Sequence, residues 1–465
     1  MNDPNNLSPL GARPTRVRYS VLLLLCILAM ITYMDRAVYG SAKDAMMAAV
    51  DRDMADFFYL LVAFQIAYAV FEVPTGWMGD TFGPRATLLR IVLWWSLFIA
   101  LTAFAGMAIP GTETILIGFW VLVAVQFLFG MGEAGAFPNI TRALYNWFPA
   151  SQRGFAQGMI WLSARFMGGL TPVVWVLLTV FAGFTWRQSL WLFAGLAVVW
   201  CLVFMYWFRN RPEEHPAVDD AERNLINAGR SEPTGHAGVP WGRLVRSRNL
   251  WFICAMYTVT NFNWYFLMYY LAGLLKGRFP IQDDWDRVTV ALVGGSPLLV
   301  GMLGCILGGI LTDRYVRRTG DRKWGRRLYG MLGYGLAGVC YLAASFYSDP
   351  KDNFWVFAGC LMLVGFFNDL IMGSAWATCQ DVGRRFAAIV SGCMNMVGNL
   401  GAALGNLITG LILKSYKDEP AVGYATCFVL YAIIYGVGVL LWLQIDATKP
   451  IVADEPAQDA ASTPS

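Results

Sequence analysis

Residues 19–42 read YSVLLLLCILAMITYMDRAVYGSA, an apolar run in which only Asp35 and Arg36 carry full charge. About 20 apolar residues suffice for a helix to cross a bilayer, so the run has the length of a membrane span. An ionisable group at the centre of such a helix costs roughly 2.5–3.5 kcal/mol on insertion scales. An acid and a base kept there point to a path for ions or charged solutes. The rest of the chain agrees with this setting. Of its 465 residues 57% are hydrophobic and only 14% charged, where a soluble domain has about 25% charged residues. About twelve apolar stretches follow one another, near 19–42, 56–79, 86–109, 113–137, 153–181, 185–208, 249–275, 289–312, 327–348, 354–379, 386–413 and 421–445. They lack the two-residue alternation of a transmembrane barrel. The expectation is an all-α integral membrane protein.

The polar breaks divide this array. Residues 1–18 form a short basic segment, 19–208 a first set of six runs, 209–248 a long polar linker, 249–445 a second set of six, and 446–465 a polar tail expected to be disordered. The first run is too long for a signal-peptide core and has no small-residue cleavage site, so it should stay as the first helix. Alternate loops differ in charge. The set containing residues 1–18, the linker and 313–326 holds 24 Lys and Arg, and the opposite set nine. Positive loops stay in the cytoplasm, which predicts cytoplasmic termini. The basic loops account for the net charge of +4, and no nucleic-acid partner is implied. Nine cysteines, almost all inside apolar runs, and two histidines, both in the linker, offer neither a disulfide framework nor a metal site. A proton path would therefore run through carboxylates.

The two sets share a local pattern. Gly76-Trp-Met-Gly-Asp80 closes the second run and leads to Arg85; Gly309-Ile-Leu-Thr-Asp313 closes the eighth and leads to Arg314. The two aspartates are 233 residues apart, half the chain. Parallel repeats of this kind characterise transporters whose halves rock about a central site. Glycines let helices approach closely, and a boundary aspartate can face the positive end of a neighbouring helix. Gly76, Asp80, Arg85, Asp313 and Arg314 are thus candidate gating residues.

The stretch Gly76–Arg85 resembles the signature loop of the major facilitator superfamily. Tyr33-Met-Asp35-Arg36, Gly130-Met-Gly132-Glu133-Ala-Gly-Ala-Phe-Pro138, Trp207–Pro212 with His215-Pro216, and Asn395-Met-Val-Gly-Asn399 are similar to its anion:cation symporter family. The resemblance implies the major facilitator fold, about 12 helices in two six-helix bundles. It also implies transport of a sugar acid or another organic anion with protons, in a bacterial inner membrane. In that family an arginine that helps bind the anion precedes the fourth-run glutamate by seven residues. Here that position is Gln126, which cannot make the charged fork of an arginine.

Within the runs, Asp35, Glu133 and Asp369 are the deep acids, with Glu72 read as a boundary acid and Asp381 at a helix end. Asp35 stands about 25 Å along its helix, just past mid-depth. Side chains of neighbouring residues point about 100° apart, so Asp35 and Arg36 need separate partners. Asp35 and Glu133 are the candidate proton-coupling groups. Arg36 and Arg165 are the two deep cations, candidates for holding the anion. Folding the fourth and fifth runs about Pro149 places Glu133 level with Arg165, as a permanent brace or as a switch that an anion breaks. Tyr33, Tyr68, Gln126, Tyr265, Asn395 and Asn399 complete the candidate binding set, and the same reflection about Arg384 brings Asp369 level with the asparagines. No catalytic set, nucleotide loop or cofactor site is present, and the expected companions are a small organic anion, the lipid bilayer and a proton, with sodium as the other possible ion. The chain is expected to act as a monomer. Proton-driven efflux is the alternative, although Met167-Gly-Gly-Leu-Thr-Pro172 matches the helix-five pattern of efflux antiporters poorly. A transporter-like sensor is a third reading.

Overall fold

The computed structural model describes residues 14–108, 111, 115–149, 153–227, 241–349, 352–383 and 387–451. Residues 1–13 of the basic segment, 228–240 of the linker and 452–465 of the tail lie outside it. The first half builds α1 (Val17–Ala49), α2 (Phe58–Phe82), α3 (Pro84–Thr102), α4 (Phe119–Glu133), α5 (Ala136–Trp147), α6 (Arg153–Val176) and α7 (Trp186–Trp207). The linker contributes α8 (Asp220–Asn227) and α9 (Trp241–Arg246). The second half builds α10 (Arg248–Tyr269), α11 (Leu271–Lys276), α12 (Asp284–Thr319), α13 (Arg322–Phe346), α14 (Phe354–Leu370), α15 (Met372–Gly383), α16 (Ala387–Ser415) and α17 (Pro420–Gln444). Among the described residues, eleven helical stretches are long and apolar enough to cross a bilayer. The other expected run, 249–275, forms α10 and α11. Thr258, Thr260, Asn261 and Asn263 make it less apolar, and from Val259 to Tyr269 its side chains are buried.

Two faces can be distinguished. The signature face carries Gly83, the linker and Gly320; the opposite face carries the 50–57 and 416–419 turns. The halves meet chiefly where α6 packs on α12 and α2 on α16. The α6–α12 crossing is very close, because a Cβ on Gly295 would fall 1.7 Å from the Gly169 carbonyl oxygen. At the opposite face, Lys276 pairs with Asp44 at 3.0 Å, Lys414 with Asp56 at 2.7 Å and Lys417 with Asp53 at 2.9 Å, each pair joining the two halves.

Three spans are interrupted within the protein. α4 stops at Glu133 and α5 begins after Gly135, whose φ of 82° is a left-handed value that suits glycine. α14 and α15 are separated by Ile371, and α10 and α11 by Tyr270. The signature residues differ from the turn the sequence suggests. Gly76–Asp80 are helical, and the chain turns at Gly83. There the Arg85 backbone N–H donates to Asn210 Oδ1 at 3.0 Å, while its guanidinium reaches the Met205 carbonyl. Gly309–Asp313 likewise continue within α12. Arg314 is exposed there; the side chains of Asp80 and Asp313 lie outside the described residues.

The linker is fastened to the start of α1. The fully buried Glu222 carboxylate of α8 accepts from Arg18 Nη1 at 2.7 Å, from the Thr15 hydroxyl at 2.7 Å and from the Val17 backbone N–H at 3.1 Å. It thereby serves the unpaired amides that any helix N-terminus leaves. His215 packs edge-on against Trp147 and Trp207. Burial, with Arg209 nearby, lowers its pKa below the ordinary histidine value.

Replacing Glu222 with Gln should remove a counter-charge from the buried Arg18 guanidinium, at a cost of up to about 3–5 kcal/mol for a broken buried pair. Thermal unfolding in detergent should register a lower midpoint, partly restored by adding Arg18→Met. An unchanged midpoint for Glu222→Gln would show that the contact does not hold α1.

Candidate functional site

Asp35 and Arg36 occupy one turn of α1 but face different surroundings. Arg36 Nε donates to Glu133 Oε1 at 2.6 Å, with both side chains buried. Its guanidinium also lies 4.6 Å from the centre of the Tyr68 ring and 5.6 Å from that of Phe64, in reach of cation–π attraction. Among the described residues, Arg36 Nη2 and Glu133 Oε2 are buried without hydrogen bonds. Asp35 is more isolated. Neither of its oxygens has a hydrogen-bond partner there. Glu133 and the Trp95 indole are its polar neighbours, the indole outside hydrogen-bond geometry. Buried polar atoms without partners are rare and costly, and four of them gather around this helix turn.

Arg165 is held from the other half. Its Nε and Nη2 donate to the two Asp369 oxygens at 2.8 and 3.1 Å, and Nη1 donates to the Tyr33 hydroxyl at 2.7 Å. This is the two-pronged geometry in which arginine binds carboxylates most strongly. Trp264 covers the guanidinium at 4.2 Å from its ring centre. Asn368 supports Asp369 Oδ1 at 3.3 Å and accepts in turn from Tyr435 at 2.8 Å. The sequence reflection put Glu133 beside Arg165; instead Glu133 takes Arg36, and Arg165 crosses to Asp369. Reflection about a turn fixes depth but not the direction a side chain faces, and the break after Glu133 re-aims that end of α4.

The two arginines border one cavity. Arg36 Cζ lies 5.7 Å and Arg165 Cζ 5.4 Å from the Tyr33 ring centre, so both cations neighbour the same ring. Tyr33, Tyr68, Tyr265, Asn395 and Asn399 line the cavity with them. Asn399 donates to the Asn395 carbonyl at 2.9 Å and accepts from Tyr265 at 3.2 Å. Gln126 is buried beside Tyr39 and does not line the cavity. Glu133 and Asp369 stand behind their arginines rather than on the wall.

Sequence reasoning missed several wall residues. Tyr257, Asn261 and Tyr265 recur every four residues along α10, as do Trp161 and Arg165 on α6. That helical spacing was the available signal. Glu72, read as a boundary acid, is buried and accepts from Asn395 Nδ2 across the two halves at 2.5 Å. Lys43, counted with the loops because the first run was ended at Ala42, belongs to α1 and is buried. Toward the signature face Trp161 stacks on Phe137 and meets Trp376 of the other half, ring centres 5.7 Å apart. The space enclosed is about 30 Å³. Pockets for small molecules run about 300–1,000 Å³, so this is a contracted form of the site.

The sequence that builds this helical array is matched by a known family. The profile of the Major Facilitator Superfamily fits residues 25–406 and 321–463. The chain belongs to the Major Facilitator Superfamily. It is therefore a multi-pass membrane transporter and not an enzyme. It is 28% identical over 448 residues to a probable sulfoacetate transporter of Cupriavidus necator, covering 96% of this chain and 97% of that one. It is 26% identical to a probable galactarate/D-glucarate transporter of Bacillus subtilis, with 88% of each chain covered. A D-galactonate transporter of Escherichia coli is 25% identical over 90% of this chain and 95% of its own. Among solved structures, an inward-facing, unoccupied bacterial homologue of the human lysosomal transporter Spinster superposes with a TM-score of 0.70 at 16% identity, covering 94% and 98% of the two chains.

Because Arg165 and Asp369 neutralise each other across the halves, Asp369→Asn should leave a buried cation exposed to no counter-charge. We expect a loss of about 3–5 kcal/mol for breaking a buried pair, read as a lower unfolding midpoint. The double variant Arg165→Gln/Asp369→Asn should be less damaged than either single change. Additive losses would argue that the two side chains act independently.

Proposed function

We propose that this transporter imports a small organic anion, a sugar acid or a short sulfonated carboxylate, together with protons by alternating access. The observation that carries the reading is the pair of buried guanidiniums flanking Tyr33, one of them with a buried N–H that no described residue accepts. An arriving carboxylate or sulfonate supplies that acceptor. The relatives named for sulfoacetate, galactarate or glucarate, and galactonate favour the same class. Neighbouring tyrosine hydroxyls and the Asn395 and Asn399 amides suit hydroxyl groups on such a substrate.

Charge balance links the anion to protons. Glu133 and Asp369 already neutralise Arg36 and Arg165, so the anion adds an unbalanced negative charge to a poorly hydrated site. Uptake of a proton by a nearby carboxylate removes that imbalance. Asp35, with no fixed partner, and Glu133, held by one oxygen only, are the groups to carry it. Once Glu133 is neutral, Arg36 is free for the substrate. Asp369 plays the corresponding part for Arg165, where anion binding would exchange a contact between the halves for a contact to substrate. With positive loops inside, the termini are cytoplasmic and the membrane is the bacterial inner membrane. The coupling ion is the proton, and the working unit is a monomer.

Proteoliposomes containing the purified chain test this with sulfoacetate, galactarate, D-glucarate and D-galactonate as probes. At least one should accumulate when the outside is made acidic, with alkalinisation of the medium. A sodium gradient should not substitute for the acid one. Proton entry that drives the probe outward would establish efflux instead. Asp35→Asn should lose accumulation and keep counterflow, and retained accumulation would remove its coupling role. Arg36→Ala should abolish probe-induced thermal stabilisation, and a normal shift would remove it from the anion site.

A further inference from the structure

Lys43 lies on α1 seven residues beyond Arg36. That is two helical turns, about 10 Å nearer the opposite face and on the same side of the helix. It is only 6% exposed. Among the described residues it makes no hydrogen bond or ion pair. Its Nζ is 5.5 Å from the Phe57 ring centre and 5.1 Å from that of Tyr270, and a Cβ built on Gly273 would lie 3.7 Å from it. The acids nearby are engaged elsewhere, Asp44 with Lys276, Asp56 with Lys414 and Asp53 with Lys417. Asp44, the next residue, attracts it without pairing with it, and attraction to two ring faces is weaker than the cost of burying an unpaired ammonium. With the opposite face closed, this cation therefore keeps an unmet demand for an anion.

Its location gives that demand a use. Phe57 belongs to the first half, while Tyr270 and Gly273 belong to the second, at the break between α10 and α11. Gly40, one turn from Lys43, packs so tightly that its Cβ would stand 2.9 Å from the Met268 carbonyl oxygen. Parting of the halves at this face lifts the Tyr270 segment away and leaves Lys43 on the route to Arg36. We infer that Lys43 is a second anion-binding station, which takes the carboxylate or sulfonate of the entering solute before Arg36 does. Arg36 and Arg165 are each already salt-bridged to an acid. Lys43 is salt-bridged to no acid, the adjacent Asp44 being paired with Lys276, so an anion can reach it without breaking an ion pair. When the Tyr270 segment closes, ring faces replace the anion on Lys43, and the anion is left with Arg36 and Arg165.

This rests on the proposed anion transport, and two measurements separate the ideas. The first needs no substrate. With the nine native cysteines replaced by serine, Gly273→Cys is labelled by a methanethiosulfonate bearing either a sulfonate or a trimethylammonium group. The ratio of anionic to cationic labelling rates should fall about tenfold when Lys43→Met removes the charge, and Lys43→Arg should preserve it. An unchanged ratio overturns the inference. The second is uptake from the opposite face of whichever probe wild-type protein accumulates. Lys43→Met should raise KM about tenfold with the maximal rate kept, and Lys43→Arg should restore KM. A reduced maximal rate at constant KM would make Lys43 a closure residue and overturn the station. If Arg36→Ala stops uptake and Lys43→Met changes neither readout, the transport reading stands and the station falls. A labelling ratio that falls while no organic anion is carried keeps the station and removes the transport reading.

Discussion

A guanidinium at membrane depth needs an acid, and here that need is met from a distance. Each deep arginine draws its carboxylate from a different span, Glu133 at the end of α4 and Asp369 near the end of α14. Direct removal of either acid would leave a charge that neither lipid nor ring faces can balance. The pairing therefore dictates which helices stay adjacent. It also makes one contact between the halves, Arg165 with Asp369, depend on the same groups that face the cavity. Holding the fold together and charging the cavity wall are one electrostatic problem in this protein.

The half-chain repeat gives that problem two similar solutions. Shifting Glu133 by the 233-residue spacing of the signature aspartates lands three residues before Asp369. Both acids sit beside a helix interruption, at Ala134–Gly135 in one half and at Ile371 in the other. Interrupted helices within a membrane protein are tolerated where they border a cavity, and a break beside a charge lets that charge be turned without moving the whole span. The solutions are not identical. Arg36 uses one oxygen of its acid, while Arg165 uses both. The first pair stays within one half and the second spans two.

Much of this was legible in the chain. Apolar runs of bilayer length, the Gly76–Asp80 signature with its second copy, and the alternation of basic loops led to the membrane fold. Tyr33, Arg36, Tyr68, Arg165, Tyr265, Asn395 and Asn399 stand out in the sequence as polar groups within apolar runs, and all of them line one cavity. What failed was pairing and ends. Sequence position gives depth along a helix but not the azimuth of a side chain, so Glu133 was set against Arg165. Apolar runs end before their helices do, so 19–42 excludes Lys43 and 56–79 sets Glu72 within two turns of an end, while α1 reaches Ala49 and α2 reaches Phe82. Gln126 was tied to the site by its resemblance to a family position, yet its side chain is buried against Tyr39.

The two ends of the cavity are closed by different physics. Toward the signature face, indole meets indole, Trp161 against Trp376. At the opposite face, three ion pairs stand in or near water, Lys417 and Asp53 being 62% and 61% exposed. Mobile ions weaken exposed pairs over a Debye length of about 8 Å at physiological ionic strength, and they leave contacts between rings untouched or strengthen them. Rising ionic strength therefore loosens the three pairs of the opposite face and spares the indole contact. The hold of one half on the other at that face is thereby tied to the salinity of the medium.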